Sequence, residues 1–269
     1  QKRINEFLKQ TPDIINTTEL ESQIEGTITF KNVHFTYEDT NIEALKGISF
    51  GVQKGQTLAI IGNTGSGKST ILELIGRLYD VQKGEIEVDG QTIQNLNLNS
   101  LRSSVGFVPQ DPFLFSDSLR NNIKFGKNKA SDDEVVEASK MAVVHDNITN
   151  FKNGYDTVLG ERGITLSGGQ KQRISIARAF IKNPQILLLD DCLSAVDTET
   201  EEQILNNIEL VTKGKTTIIV SHRISSAKNA DIIVVLNNGI ITQQGSHVQL
   251  INVEGYYKEL YQNQLREIS

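Results

Sequence analysis

The sequence has a single cysteine, Cys192, in 269 residues. An intrachain disulfide framework is therefore excluded, and the usage fits a reducing, cytosolic setting. No apolar run approaches the roughly 18 residues that would cross a bilayer. The longest, such as Ile186–Leu189 and Ile232–Leu236, are strand-sized. An excess of basic charge is also missing: 27 Lys and Arg stand against 33 Asp and Glu, for a net charge of −6. Bulk affinity for nucleic acid or anionic lipid would want the opposite sign. The only methionine, Met141, lies mid-chain and the first residue is Gln1. No signal peptide is visible, and the chain reads as a domain cut from something longer.

What is present divides by pattern. Residues 1–24 are polar and contain Pro12; they read as a linker, with Ile4, Phe7 and Leu8 marking a short amphipathic helix. Ile28–Tyr37 alternates like a strand, with one slip that predicts a bulge. Gly84–Gly90 alternates cleanly into an Asp89-Gly90 turn, so an antiparallel patch is expected. Thr57–Ile61, Gln185–Leu189 and Thr216–Val220 are continuous apolar runs, the texture of buried parallel strands. After the first, Ile71, Leu72, Ile75, Leu78 and Tyr79 recur at helical spacing. Ile232–Leu236, Asn238-Gly239 and Ile240–Thr242 read as a closing hairpin. Strand signals vanish over residues 111–183, where Ser131 and Glu134 form a capping box and a second helix runs from Ser167 to Asn183, before Pro184. Thr198 and Glu201 make a further box. The expectation is an α/β domain over 25–269: a parallel-sheet core, an antiparallel β subdomain and an inserted α-helical subdomain at about 111–183.

Three segments carry chemistry. Gly62-Asn63-Thr64-Gly65-Ser66-Gly67-Lys68-Ser69-Thr70 matches the P-loop pattern, after a strand and opening a helix. Its glycines let backbone N–H groups converge on phosphate oxygens at a helix N-terminus. Lys68 should reach the β- and γ-phosphates and the Ser69 hydroxyl should ligate Mg²⁺. Asp190 ends an apolar strand at the edge where ligands gather in open parallel sheets, suited to hold Mg²⁺ through water. Leu166-Ser167-Gly168-Gly169-Gln170 opens another helix, a second anion-binding N-terminus. One nucleotide does not need two such sites on one chain.

Taken in order, Gly62–Thr70, Gln110, Leu166–Gln170, Asp190 and His222 resemble the ATP-binding cassette (ABC) ATPase family, over about residues 25–265. The resemblance implies a RecA-like P-loop NTPase core with ATP and Mg²⁺ as ligands. It places Tyr37 where an aromatic stacks on adenine. Gln110 falls in the Q-loop, which senses Mg²⁺ and the attacking water and hinges the helical subdomain. Ser194-Ala195-Val196-Asp197 matches the D-loop, and His222 the switch histidine that contacts the γ-phosphate. Thr157–Gly163, with Glu161-Arg162-Gly163, resembles a loop of exporters that touches the coupling helices of a transmembrane half. The implied setting is the cytoplasmic side of a membrane. The implied mechanism is a dimer that sandwiches each ATP between Lys68, Ser69, Asp190, Gln110 and His222 of one domain and Ser167 and Gly169 of the other.

One position departs from the family. The residue after the Walker B aspartate is usually a glutamate that acts as general base, and here it is Asp191. One methylene fewer pulls the carboxylate back by roughly 1.5 Å, a displacement that can cost on the order of a hundredfold in rate. A similar Asp occurs in one subunit of heterodimeric exporters. Two readings follow: an ATP-hydrolysing exporter domain, or a subunit that binds ATP and hydrolyses it slowly beside a fully equipped partner. Soluble relatives in DNA repair or translation carry long coiled coils or tandem cassettes, which this sequence lacks.

Overall fold

The computed structural model describes residues 12–160 and 166–268. The helix expected around Ile4, Phe7 and Leu8, and the segment Glu161-Arg162-Gly163, lie outside them. The chain opens with β1 (Ile28–Tyr37), β2 (Ile42–Val52) and β3 (Thr57–Ile61), then α1 (Lys68–Ile75), β4 (Lys83–Val88), β5 (Gln91–Thr92), α2 (Leu98–Ser104) and β6 (Val105–Val108). The helical region holds α3 (Leu119–Lys124), α4 (Asp132–Met141), α5 (His145–Thr149) and α6 (Gly168–Ile181). Then come β7 (Ile186–Asp190), α7 (Thr198–Val211), β8 (Thr216–Ser221), β9 (Ile232–Asn237), β10 (Ile240–Gly245), α8 (His247–Leu250) and α9 (Tyr256–Ile268).

Strands β2-β1-β4-β5 form an antiparallel sheet, and β10-β9-β3-β8-β7-β6 a second one. In the second, β9, β3, β8, β7 and β6 run parallel and β10 closes antiparallel on β9. The slip in β1 is real: the register shifts between Phe30 and Val33, with Asn32 at φ 48°. The Asp89-Gly90 turn is left-handed at both residues, φ 53° and 75°, as a two-residue hairpin requires.

The continuous apolar strands are buried on both faces because different layers cover each face. Leu58 and Ile60 of β3 join the core under β1, β2 and α1, whereas Ala59 and Ile61 face Ile224, Ala227 and Tyr257 on the other side. Leu187 and Leu189 of β7 pack with the helical region, against Ile174, Ile176 and Ala177 of α6. Helix α6 starts at a Ser167–Gln170 capping box and stops where Asn183 turns left-handed (φ 52°) ahead of Pro184. The Ser131–Glu134 box of α4 is also formed.

Two expectations need correction. The helix after β7 is not capped by a Thr198–Glu201 box. Asp197 is its N-cap, accepting from the Thr200 amide, and Glu201 turns inward to the buried face shared with Ile204 and Ile208. The region 111–183 is not wholly without strand pairing, since Ser118 and Val158 form an isolated bridge. The stretch before β1 is tied down from Asn16 onward. Asn16 Oδ1 accepts from Leu98 N, Thr18 O accepts from Asn97 Nδ2, and the Asp89 carboxylate takes the amides of Glu25, Gly26 and Thr27.

Candidate active site

β3, β7 and β8 end side by side, and their C-terminal ends carry Gly62, Asp190 and His222 into one space. The loop after β3 cannot hold larger residues. A Cβ on Gly62 would lie 2.0 Å from Leu236 O, and one on Gly67 2.5 Å from Ala44 O. Gly67 is also left-handed, φ 99°, and is the N-cap of α1 with no side chain covering the free amides. Ser66 is 2% exposed, and its hydroxyl has no hydrogen-bond partner among the described residues. An open cavity of about 510 Å³ borders this loop, lined among others by Tyr37, Lys46, Gly65, Lys68, Ser69 and Asn238.

Lys68 is 6% exposed, and its ammonium is folded back onto the loop, donating to Gly62 O (2.9 Å) and Asn63 O (2.8 Å). Burial pushes its pKa below the usual lysine value, while Asp191 and Asp190 pull it back up. The Ser69 hydroxyl donates to Asp190 Oδ1 at 3.1 Å. Asp190 is itself 6% exposed, and burial raises its carboxyl, with the Ser69 hydrogen bond acting against that shift. Asp191 is half-buried and likewise raised by burial, with the His222 imidazole and peptide N–H opposing. His222 is lowered, first by burial and then by Lys68. Two desolvated carboxyl groups, a buried ammonium and an imidazole therefore share one charge-sensitive space.

These residues fit a triphosphate with a hard cation. The glycines leave the backbone open to a phosphate, the start of α1 has no side-chain cap, and the Ser66 hydroxyl has no acceptor among the described residues. Ser69 and Asp190 supply the one or two protein ligands that Mg²⁺ takes beside phosphate oxygens.

Tyr37 borders the same cavity, but its hydroxyl is bound to Thr70 Oγ1 (2.9 Å) and Glu73 Oε2 (2.7 Å), which fixes its ring edge-on to Phe35 and Tyr79. Gln110 is exposed and lines a different pocket, with Gly168, Lys171, Gln172, Ser194 and Ala195. Ser167, Gly168, Gly169 and Gln170 do not line the P-loop cavity. Ser167 and Gln170 spend their side chains on the capping box, and a Cβ on Gly169 would lie 2.8 Å from Ala195 O. The Leu166–Gln170 turn is thus packed against the Ser194–Asp197 segment.

Sequence reasoning missed the network that joins this segment to the loop after β8. Arg223 reaches Ser194 O (3.1 Å) and pairs with Glu201, whose other oxygen accepts from Ser225 (2.7 Å) and Ser226 (2.9 Å). The signal was available: Glu201 stands three and seven residues before Ile204 and Ile208, on the buried stripe of α7.

The sheet order, the glycine cradle and the Ser69–Asp190 pair define a P-loop nucleoside-triphosphate-binding domain. The ABC transporter family model matches residues 45–194. ATP-binding cassette sub-family B member 6 of Xenopus tropicalis is 51% identical over 239 residues, covering 89% of this chain and 28% of that protein. Heavy metal tolerance factor 1 of Caenorhabditis elegans is 46% identical over 242 residues, covering 90% and 30%. A solved bacterial Atm1-family ABC exporter with ATP bound superposes with a TM-score of 0.92 at 41% identity, over 98% of this chain and 46% of that one. This chain belongs to the ABC transporter family, as a nucleotide-binding domain of the exporter type. It spans about 28–30% of the length of these two curated relatives.

Proposed function

We propose that the chain binds ATP with Mg²⁺ in the loop Gly62–Thr70, hydrolyses it, and drives export as half of a nucleotide-binding dimer joined to a transmembrane part. The observation that carries this is the convergence of Lys68, the Ser69–Asp190 pair, Asp191 and His222 beside the glycine loop and the uncapped start of α1. Lys68 exchanges its two carbonyl partners for the β- and γ-phosphates. Ser69 and Asp190 would hold Mg²⁺, which would supply positive charge to the phosphate oxygens. Asp191 takes the proton of the attacking water, Gln110 orients that water, and His222 donates to the γ-phosphate. Tyr37 offers its ring to adenine, its hydroxyl already anchored by α1.

The second helix N-terminus, Ser167-Gly168-Gly169-Gln170, lies outside the P-loop cavity, and its natural ligand is the nucleotide of a partner domain. The exposed, mutually packed rings of Phe113 and Phe115 in the helical region offer apolar surface to the coupling helices of the transmembrane part, at the cytoplasmic side of the membrane. Sedimentation of the Asp191→Asn chain tests the sandwich. Monomer without nucleotide or with ADP and dimer with ATP-Mg²⁺ is the expected pattern. The same species in all three conditions contradicts it.

A second reading is favoured by Asp191. The chain then occupies the slow site of a heterodimer, and a partner with a glutamate at that position carries the turnover. A kcat of about 10 s⁻¹ for this chain alone, the middle of the usual enzyme range, would remove that reading.

A further inference from the structure

His222 leaves the end of β8 on a loop, so its imidazole can be no better placed than its peptide. One side chain holds that peptide from outside the loop. Gln264 Nε2 donates to His222 O at 2.8 Å, and Gln264 Oε1 accepts from Ile224 N at 2.8 Å. A primary amide presents donor and acceptor together, so it pairs with the C=O and N–H on either side of Arg223 as a neighbouring strand would. The partners lie 42 and 40 residues away in sequence.

The helix that carries Gln264 is fixed independently. Tyr257 of α9 is fully buried, and Leu260 and Tyr261 pack with it against Ala59, Ile61, Ile224 and Ala227. The Tyr257 hydroxyl pairs with His247 Nδ1 at 2.8 Å, and the Tyr257 amide donates to Gln243 Oε1 at 3.1 Å. Gln264 follows Tyr257 and Tyr261 by seven and three residues, on the same face of the helix. The opposite flank of the loop is held by Arg223 through Glu201 and Ser194. The loop is therefore braced from both sides, and the brace from α9 falls on the histidine's own carbonyl.

We propose that Gln264 is a positioning residue for His222: its two-point clamp makes the C-terminal helix α9 set where the imidazole stands. The role rests on the reading of His222 as the γ-phosphate contact. It makes α9 a route by which anything docking on the C-terminal end would alter hydrolysis without touching the nucleotide.

The test uses the whole 269-residue chain with ¹⁵N-histidine labelling, the four imidazoles (His34, His145, His222, His247) being assigned by single substitution. Gln264→Leu removes both hydrogen bonds. Gln264→Glu keeps the acceptor for Ile224 and loses the donor to His222. For both variants the His222 signal should move or broaden, while His247, which reports α9 docking through Tyr257, stays in place. In the same proteins kcat for ATP should fall about tenfold, a fraction of what an ångström-scale displacement costs, with KM within about twofold. An unmoved His222 signal overturns the proposal, as does a His247 signal that shifts along with it, since α9 would then have undocked. Wild-type chain without turnover would sink the ATPase reading, whereas loss of the clamp would still show in the imidazole signals.

Discussion

Asp191→Glu separates chemistry from conformation at the general-base position. Asp191 has φ 41°, and its amide donates to Val220 O at 2.9 Å while its carbonyl accepts from Ser194 Oγ at 3.0 Å. Its backbone is therefore pinned, and only the side chain can lengthen toward the water. The added methylene advances the carboxylate by about 1.5 Å. Regained placement on that scale is worth up to a hundredfold in rate, or about 2.7 kcal/mol. The same change has a conformational cost, because left-handed backbone tolerates Asp and Asn better than Glu. Out of the roughly 1–2 kcal/mol that a non-glycine residue loses there, about 0.5 kcal/mol more falls on Glu. The expected result is a single-turnover rate ten- to a hundredfold higher, ATP affinity within about twofold, and a Tm lower by about 1–2 °C. Asp191→Asn should lower the residual rate. A fast wild-type rate that Asp191→Glu reduces would mean that the pinned backbone has adapted to aspartate. No response to either change would mean that Asp191 is not the base.

Two further outcomes follow from burial around the loop. Burial raises the Asp190 carboxyl, so the ionised form is penalised in the folded chain. That penalty is full above the folded pKa and gone below the unfolded one. Asp190→Asn should therefore raise the nucleotide-free Tm at pH 7.5 by about 2–4 °C, of the order seen when functional-site strain is relieved. The gain should shrink toward pH 4, and Mg²⁺-dependent hydrolysis should be lost; a lower Tm at pH 7.5 would mean that the Ser69 hydrogen bond outweighs desolvation. Gly62→Ala drives a Cβ to 2.0 Å from Leu236 O, and thermal unfolding should show a loss of about 2–3 kcal/mol; unchanged stability would mean that β9 moves freely.

The sequence was most legible where chemistry is local. The P-loop, the Asp89-Gly90 and Asn238-Gly239 turns and the Ser131–Glu134 capping box each depend on residues within a few positions of one another. The parallel strands β3, β7 and β8 were legible because burial on both faces leaves them mostly apolar, whereas the four-residue β6 was not found. β2 was not, since Gly47 (φ 79°) interrupts its alternation and Ala44 and Leu45 are both buried. α9 was missed because its inner face carries Tyr257, Tyr261 and Gln264 with only Leu260 as an aliphatic residue packed among them. At the site, Lys68, Ser69 and Asp190 were named by motif, and the Ser69 hydroxyl lies within hydrogen-bond distance of Asp190. Glu201 was assigned to a cap although its spacing to Ile204 and Ile208 also put it on the buried stripe of α7. Gln264 had no local signal at all, its partners being about 40 residues away.

The most direct test is calorimetric titration of ATP-Mg²⁺ into the wild-type chain and into Lys68→Ala. Lys68 is the only cation of the loop, and charged hydrogen bonds of its kind contribute about 1.5–3 kcal/mol. The account predicts saturable binding at one site per chain and at least a tenfold loss of affinity in the variant. Equal affinity in the two proteins would contradict it.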